Sequence, residues 1–240
     1  MKLAVLGGSY NPIHIGHLML ADTVCRSCGY DTIAFVPAFL SPFKRGHAGC
    51  TVEDRIAMVE RAVADNPAFY CEPCEVNRQG VSYTIDTLRF LTQKYPQHDG
   101  KIGLIIGDDL LGGLDTWHEA VSLDDYADII VGNRVIAPQE NGPTAVGAES
   151  KGAVNSRTAL GTTAQSAGNI TAVSAIARKS ADSITAIGTT AGGIPYIRLQ
   201  NALLPVSSSG IRTAIAEKKS WRYLVPPAVY SYIKEHQLYE

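Results

Sequence analysis

Two histidines three residues apart, His14 and His17, close a glycine-bearing run, GGSYNPIHIGH, at residues 7–17. Imidazoles donate to and accept from phosphate oxygens near neutral pH, and a spacing of three lets both reach one ligand from one helix face. The glycine pair Gly7-Gly8 and the later Gly16 allow the backbone to come close to that ligand, with Ser9 adding a hydroxyl. An apolar stretch at residues 3–6 reads as a short buried strand before the run. Leu18, Leu20, Ala21, Val24 and Cys25 after it read as one face of a helix. The run therefore falls at a strand-to-helix junction, where backbone N–H groups and the helix dipole attract an anion. The plain alternative is a tight turn carrying two surface histidines. The spacing is neither GxGxxG nor GxxxxGK[ST], so the two commonest phosphate loops are excluded.

A second constellation, Ser207-Ser208-Ser209-Gly210-Ile211-Arg212, opens a helix near the other end of the chain. Alone it reads as a well-capped helix with one of the serines as N-cap. Beside the first run it supplies hydroxyls, a guanidinium and another helix N-terminus, which suit the outer oxygens of a polyphosphate. Lys44, in the loop at residues 41–46, adds a movable point charge. Asp108-Asp109 admits a reading as a metal pair. The pairs Cys25/Cys28 and Cys71/Cys74 admit a four-cysteine zinc site, but their separation exceeds the usual ribbon spacing and Cys25 and Cys28 fall on a core-facing helix side. The expectation is that these cysteines are buried hydrophobes and that the protein has no metal-ligand cluster.

Strands and helices alternate around these residues. Strands are expected at residues 32–38, 102–106, 127–131 and 194–199, with a weaker one at residues 69–76 interrupted by Pro73. Helices are expected from Val52 to about Asp65, opened by a Thr51/Asp54 capping box, from Ser82-Tyr83-Thr84 onward, after the serine triplet, and from Pro226-Pro227. This pattern predicts an α/β fold, a doubly wound parallel sheet whose ligands lie beyond the strand C-termini where the strand order reverses. Residues 137–193 break it: they are rich in Ala, Thr, Ser and Gly and repeat TALGTTA (158–164) as TAIGTTA (185–191). Composition predicts a loosely ordered excursion there, with a small subdomain or an oligomer contact as alternatives.

At 240 residues, 45% hydrophobic and 18% charged, the chain has the composition of a globular protein. Its net charge of −2 gives no footprint for nucleic acid. No stretch reaches membrane-span length and no secretory leader is visible, so no membrane partner is expected and the default location is the cytoplasm. A homo-oligomer is compatible with all of this.

Taken in order, residues 7–17, SPFK (41–44), SYTIDTL (82–88), IIGDDLL (105–111), TWH (116–118), SSSGIR (207–212) and LVPPAVYSYIKEHQLY (224–239) resemble the nucleotidylyltransferase superfamily. More narrowly, they resemble its bacterial nicotinate-nucleotide adenylyltransferases. That resemblance implies a Rossmann-like sheet in one domain spanning residues 1–240, and transfer of AMP from ATP to nicotinate mononucleotide, giving deamido-NAD and pyrophosphate. It implies His17 on the α-phosphate with His14 beside it, and Lys44, Ser207, Ser208 and Arg212 on the β- and γ-phosphates. Gly107 and Asp109 would match the family's GxD at the adenosine ribose, leaving Asp108 incidental. Trp117 would stack on the nicotinate ring, with Thr84 and amides near His118 meeting the carboxylate, helped by a helix start near Trp117 and His118. Mg²⁺ would ride on the ATP phosphates. Two departures stand out: Phe43 replaces the histidine usual before the loop lysine, and residues 137–193 replace a shorter region of helix and loop. A sister transferase with another phosphate acceptor, such as phosphopantetheine, and a nucleotide sensor without turnover are the rival readings.

Overall fold

Alternating side chains on β1 (Leu3–Gly8) divide the molecule into two cores: Ala4 and Leu6 enter one, Leu3 and Val5 the other. A strand buried on both faces must be apolar throughout, which is why residues 3–6 form an unbroken hydrophobic run. The computed structural model describes residues 1–39, 49–133 and 184–240. The loop at residues 41–46, with Phe43 and Lys44, and most of the segment at residues 137–193 lie outside the described residues.

Beyond β1 the sheet contains β2 (Thr32–Pro37), β3 (Phe69–Cys71), β4 (Ile102–Gly107), β5 (Ala127–Gly132), β6 (Ile184–Thr189) and β7 (Pro195–Leu199). Their order is β3-β2-β1-β4-β5-β7-β6, parallel except for β6 against β7. On one face pack α1 (Ile15–Cys28), α2 (Val52–Val63), α7 (Ser208–Ala216) and α8 (Pro227–Glu235). The other face is covered by α4 (Thr84–Lys94) together with the short α3 (Cys74–Arg78), α5 (Asp108–Leu111) and α6 (Leu123–Tyr126). Among the described residues no helix is long and apolar enough to cross a membrane.

Order reverses between β1 and β4: the chain winds outward through β2 and β3 on one side and through β5 and β7 on the other. Parallel strands on both sides of such a point leave a crevice beyond their C-terminal ends. The loops after Gly8 and Gly107 open into it.

Several elements match their sequence pattern. The Thr51/Asp54 box is formed, with Asp54 N–H donating to Thr51 Oγ1 at 3.1 Å and Thr51 N–H to Asp54 Oδ2 at 2.8 Å. Two expectations are corrected. The strand expected at residues 69–76 stops at Cys71, because Pro73 brings no N–H to a ladder and instead opens α3. The loosely ordered excursion expected at residues 137–193 does not extend over residues 184–193, which form β6 and a tight turn onto β7. The outer edge of β7 offers unpaired backbone groups, and a run containing two isoleucines and two threonines suits the pairing. A Cβ at Gly188 would stand 2.5 Å from the Tyr196 hydroxyl, so a larger residue there would displace that ring.

The four paired cysteines do not converge. Cys28 lies in one core with Cys25 and Cys71 packed against it, whereas Cys74 lies in the other. Burial pushes the thiols of Cys28, Cys71 and Cys74 up to about 12, so they stay protonated.

Candidate active site

The crevice is a cavity of about 560 Å³ that joins the loop after β1, the start of α1, the ends of β4 and β5, and the residues leading into α4 and α7. Of the residues singled out from the sequence, Gly7, Gly8, Ser9, His14, Gly16, His17, Thr84, Gly107, Asp109, Trp117, His118 and Ser208 all line it. Asp108, unlike Asp109, is not among the lining residues.

His14 is the N-cap of α1, in extended backbone, and His17 is the third helical residue. Their rings stack with centroids 3.7 Å apart. His17 Nδ1 accepts the backbone N–H of His14 at 3.2 Å. In the neutral ring the proton then sits on Nε2, making that nitrogen a donor. Tyr10 braces the same ring edge-on at 5.1 Å, and its hydroxyl donates to the Leu6 carbonyl. Gly16 is needed for close approach: a Cβ would stand 3.0 Å from Val206 Cγ1 and 3.1 Å from His14 Nδ1. At Gly7 no atom would lie within 4 Å of a Cβ, so this backbone faces open space, whereas Gly8 is backed by the Tyr10 ring. The helix end offers fewer donors than its sequence suggests, because Ile15 N–H is given to Leu224 O at 3.1 Å and His17 N–H to His14 O at 3.0 Å.

α7 is tied to this loop. Ser208 Oγ donates to Pro12 O at 2.9 Å and Arg212 donates to Asn11 O at 2.7 Å. Ser207 is the N-cap, accepting Gly210 N–H at 3.1 Å. Neither Ser207 nor Arg212 is among the cavity-lining residues. Arg212 reaches the histidine loop through the Asn11 carbonyl.

At the other end, Trp117 follows a single 3-10 turn (Leu114–Thr116), and the next such turn begins at Ala120. The helix start expected near Trp117 and His118 is therefore corrected: two isolated turns of three residues each build no dipole that could select a carboxylate. The helix N-terminus on this side belongs to α4, whose first residue is Thr84. His118 stacks on Tyr83 with centroids 4.2 Å apart. The turn after β6 holds this loop in place: Thr190 Oγ1 donates to Asp115 Oδ1, and Gly192 N–H to Asp115 Oδ2 at 2.9 Å.

Sequence reasoning missed several residues. Arg55 is fully buried and donates to the carbonyls of Ser9 at 2.8 Å and Ala38 at 2.7 Å, fixing two cavity-lining backbones. Its signal was its place: with Met58, Val59 and Ala62 it sits at i, i+3, i+4, i+7 on the core face of α2. Asn133 and Asn201 clasp one another where β5 ends, Asn133 N–H donating to Asn201 Oδ1 at 2.7 Å and Asn201 Nδ2 to Asn133 O at 3.0 Å. Both line the cavity. Glu75 of α3 also lines it, and its Oε1 accepts Thr87 Oγ1–H at 2.8 Å. Burial raises the Glu75 carboxyl above its ordinary value.

A family model described as cytidylyltransferase-like matches residues 5–214. The chain belongs to that family. A protein of Treponema pallidum named "Probable nicotinate-nucleotide adenylyltransferase" is 36% identical, with 100% of this chain and 99% of that protein covered. A protein of the same name from Lactiplantibacillus plantarum is 34% identical over 100% of this chain and 88% of its own length. Among solved structures, the Plasmodium falciparum nicotinic acid mononucleotide adenylyltransferase complexed with NaAD superposes with a TM-score of 0.61. It is 15% identical over 99% of this chain and 97% of its own, and supports the fold. Within the family the chain groups with nicotinate-nucleotide adenylyltransferases.

Proposed function

We propose that this cavity transfers AMP from ATP to nicotinate mononucleotide, forming deamido-NAD and releasing pyrophosphate in NAD biosynthesis. The observation that carries the reading is one hollow at the reversal of strand order that gathers two chemically distinct sets of groups. His14, His17 and Gly7 line it, and so do Trp117, Tyr83 and Thr84. Family membership and the names of the full-length relatives support the same activity.

The chemistry asks little of the protein in proton transfer. A phosphomonoester has a second pKa of about 6, so the attacking oxygen of the acceptor is already ionised at neutral pH. That oxygen forms a bond to the α-phosphorus of ATP while the bond from the α-phosphorus to the bridging oxygen breaks, and pyrophosphate leaves with the electron pair. What remains is alignment and charge stabilisation. In this reading His17 donates from Nε2 to the α-phosphate, and His14, stacked on it, sets its position beside the phosphate chain. Ser208 and the backbone at Gly7, Gly8 and Ser9 line the phosphate path. Arg212 holds the loop at Asn11 from outside the cavity lining, and the family resemblance assigns it, Ser207 and Lys44 to the outer phosphates. Asp109 and Gly107 take the adenosine ribose. Thr84, at the first turn of α4, meets the acceptor's carboxylate, and Trp117 with His118 and Tyr83 walls its ring.

Mg²⁺ fits as a companion of ATP. The donors at the phosphate end are imidazoles, hydroxyls and N–H groups, which suit phosphate oxygens, and the ion would be held by those oxygens and its waters. Bound there it would neutralise charge on the triphosphate. A cytoplasmic location belongs to this reading, since both substrates are soluble nucleotides.

Purified protein given ATP, Mg²⁺ and nicotinate mononucleotide should yield deamido-NAD and pyrophosphate in equal amounts. Turnover with phosphopantetheine alone would end the reading, and so would pyrophosphate release at a rate untouched by His17→Ala.

A further inference from the structure

Glu75 stands out on the cavity wall, bonded to α4 and close enough to Tyr10 to act on its phenol. It lines the cavity together with Ser82, Tyr83, Thr84, Thr87 and Trp117. Its hydrogen bond from Thr87 links it to α4 one turn beyond Thr84. Among the described residues it makes no ion pair. Arg78 acts on it through its field without forming an ion pair, and a half-buried carboxylate in that position gains from a positive charge brought closer. Aromatic faces beside a carboxylate form the environment that recognises organic cations, through ring quadrupole and Coulomb attraction together.

The geometry points to Glu75 as the counter-charge for the positively charged pyridinium ring of the acceptor, selecting a cationic ring over a neutral ring of the same shape. This rests on the adenylyltransferase reading above and names a determinant within it. In nicotinate mononucleotide the ring nitrogen is quaternary and carries a fixed positive charge at every pH. Trp117 supplies a π-face for that ring and Glu75 the anion. The acceptor's own carboxylate is repelled by Glu75 and is directed to the N–H groups that open α4 at Thr84. The ring is cationic in the acid and the amide nucleotide alike, so Glu75 reads ring charge and leaves the choice between acid and amide to other groups.

Burial raises the Glu75 carboxyl, while the Thr87 hydrogen bond and the field of Arg78 act in the opposite direction and that of Asp86 adds to the rise. A cation beside it would favour the ionised form, so acceptor binding and Glu75 ionisation support each other.

The test compares nicotinate mononucleotide with an isostere in which a neutral benzene ring bears the same carboxylate and ribose 5′-phosphate. Wild-type protein should favour the cationic ring by about tenfold or more in KM and in calorimetric Kd. Glu75→Gln keeps an oxygen that can accept from Thr87 and removes only the charge. It should abolish most of that preference while leaving KM for ATP and for the neutral isostere unchanged. Thr87→Val removes the hydrogen bond but keeps the charge, and should retain the preference. Equal affinity of the wild type for both rings overturns the inference whatever the variants do. Equal losses for both rings in Glu75→Gln, or loss of the preference in Thr87→Val alone, overturn it by reducing Glu75 to a structural prop. If wild-type protein bound and adenylated no pyridine mononucleotide at all, the adenylyltransferase reading would fail first and take this inference with it.

Discussion

Replacing Arg55 should weaken both the fold and the grip on ATP. Its guanidinium makes two well-formed hydrogen bonds, at 2.8 Å to Ser9 O and 2.7 Å to Ala38 O, and a third contact to Phe39 O at 3.5 Å that is too long to count. Hydrogen bonds involving a charged group contribute about 1.5–3 kcal/mol each. Leucine at this position would remove about 3–6 kcal/mol of such bonding and leave two carbonyls to find new partners. An opposing effect exists. Burial holds the Arg55 pKa below its ordinary value, a sign that keeping this cation inside is itself unfavourable, and leucine relieves that. Exchange of a buried ion for a hydrophobe comes out near neutral when its partners leave as well, but here the carbonyls of Ser9 and Ala38 stay. The net loss should be about 2–4 kcal/mol, which for a chain of this size lowers Tm by about 5–15 °C. Because Ser9 and Ala38 line the cavity, KM for ATP should rise in the same variant. Arg55→Lys keeps the charge but not the fork that spans two carbonyls, and should lose roughly half as much. Thermal unfolding followed by circular dichroism, with ATP kinetics on the same preparations, measures both. If Arg55→Leu unfolds within a degree of the wild type and binds ATP as well, the bonds carry neither stability nor placement.

Other substitutions separate the two ends of the cavity. His17→Ala should cut kcat on the order of a hundredfold, the usual cost of one positioned donor, beyond a modest loss of Tm from the missing cap of α1; a loss confined to KM would deny it a role in the transition state. Trp117→Ala should raise KM for nicotinate mononucleotide about tenfold or more, stacking being worth about 1–3 kcal/mol per base, and leave KM for ATP unchanged. Unchanged acceptor affinity would refute the stacking. Asp128 gives a pH prediction away from the site: burial, the largest cause, raises its carboxyl above the ordinary 3.8. The folded state then holds the proton more tightly than the unfolded chain, so Asp128 costs stability at neutral pH, and that cost disappears as pH falls through its folded pKa toward 3.8. Asp128→Asn should raise Tm at pH 7, with the gain vanishing near pH 4; a gain that grew in acid would reverse the assignment.

What the chain discloses in advance is what depends on neighbours in sequence. The unbroken apolar runs of β1, β4 and β5 announce strands covered on both faces, and Thr51 with Asp54 announces the start of α2 from four residues. The junction at residues 7–17 is legible because its glycines, its imidazole spacing and its flanking periodicities lie in one window. Contacts across the sequence are another matter. Nothing in the local pattern around Arg55 says that its partners are carbonyls 46 and 17 positions away. Asp115 reads as an ordinary turn residue until the strand after residue 183 delivers Thr190 and Gly192 to it, a pairing over 75 and 77 positions. Pro73, visible in the sequence as an interruption, marks where the strand at Phe69 ends early. The helix dipole expected at Trp117 failed because a short polar stretch rich in turn formers fits isolated 3-10 turns as well as a helix start.

The joining of Ser208 and Arg212 to residues 11 and 12 has a bearing on how the molecule is made. These bonds connect positions 196 and 201 apart. Closing loops of that span is slow relative to local folding, and during synthesis the early strands and α1 emerge well before their later partners exist. Any fragment ending short of residue 208 lacks the anchors of the histidine loop. Nucleotide turnover should thus be among the last properties a growing chain acquires, which spares the cell a half-built protein that consumes ATP.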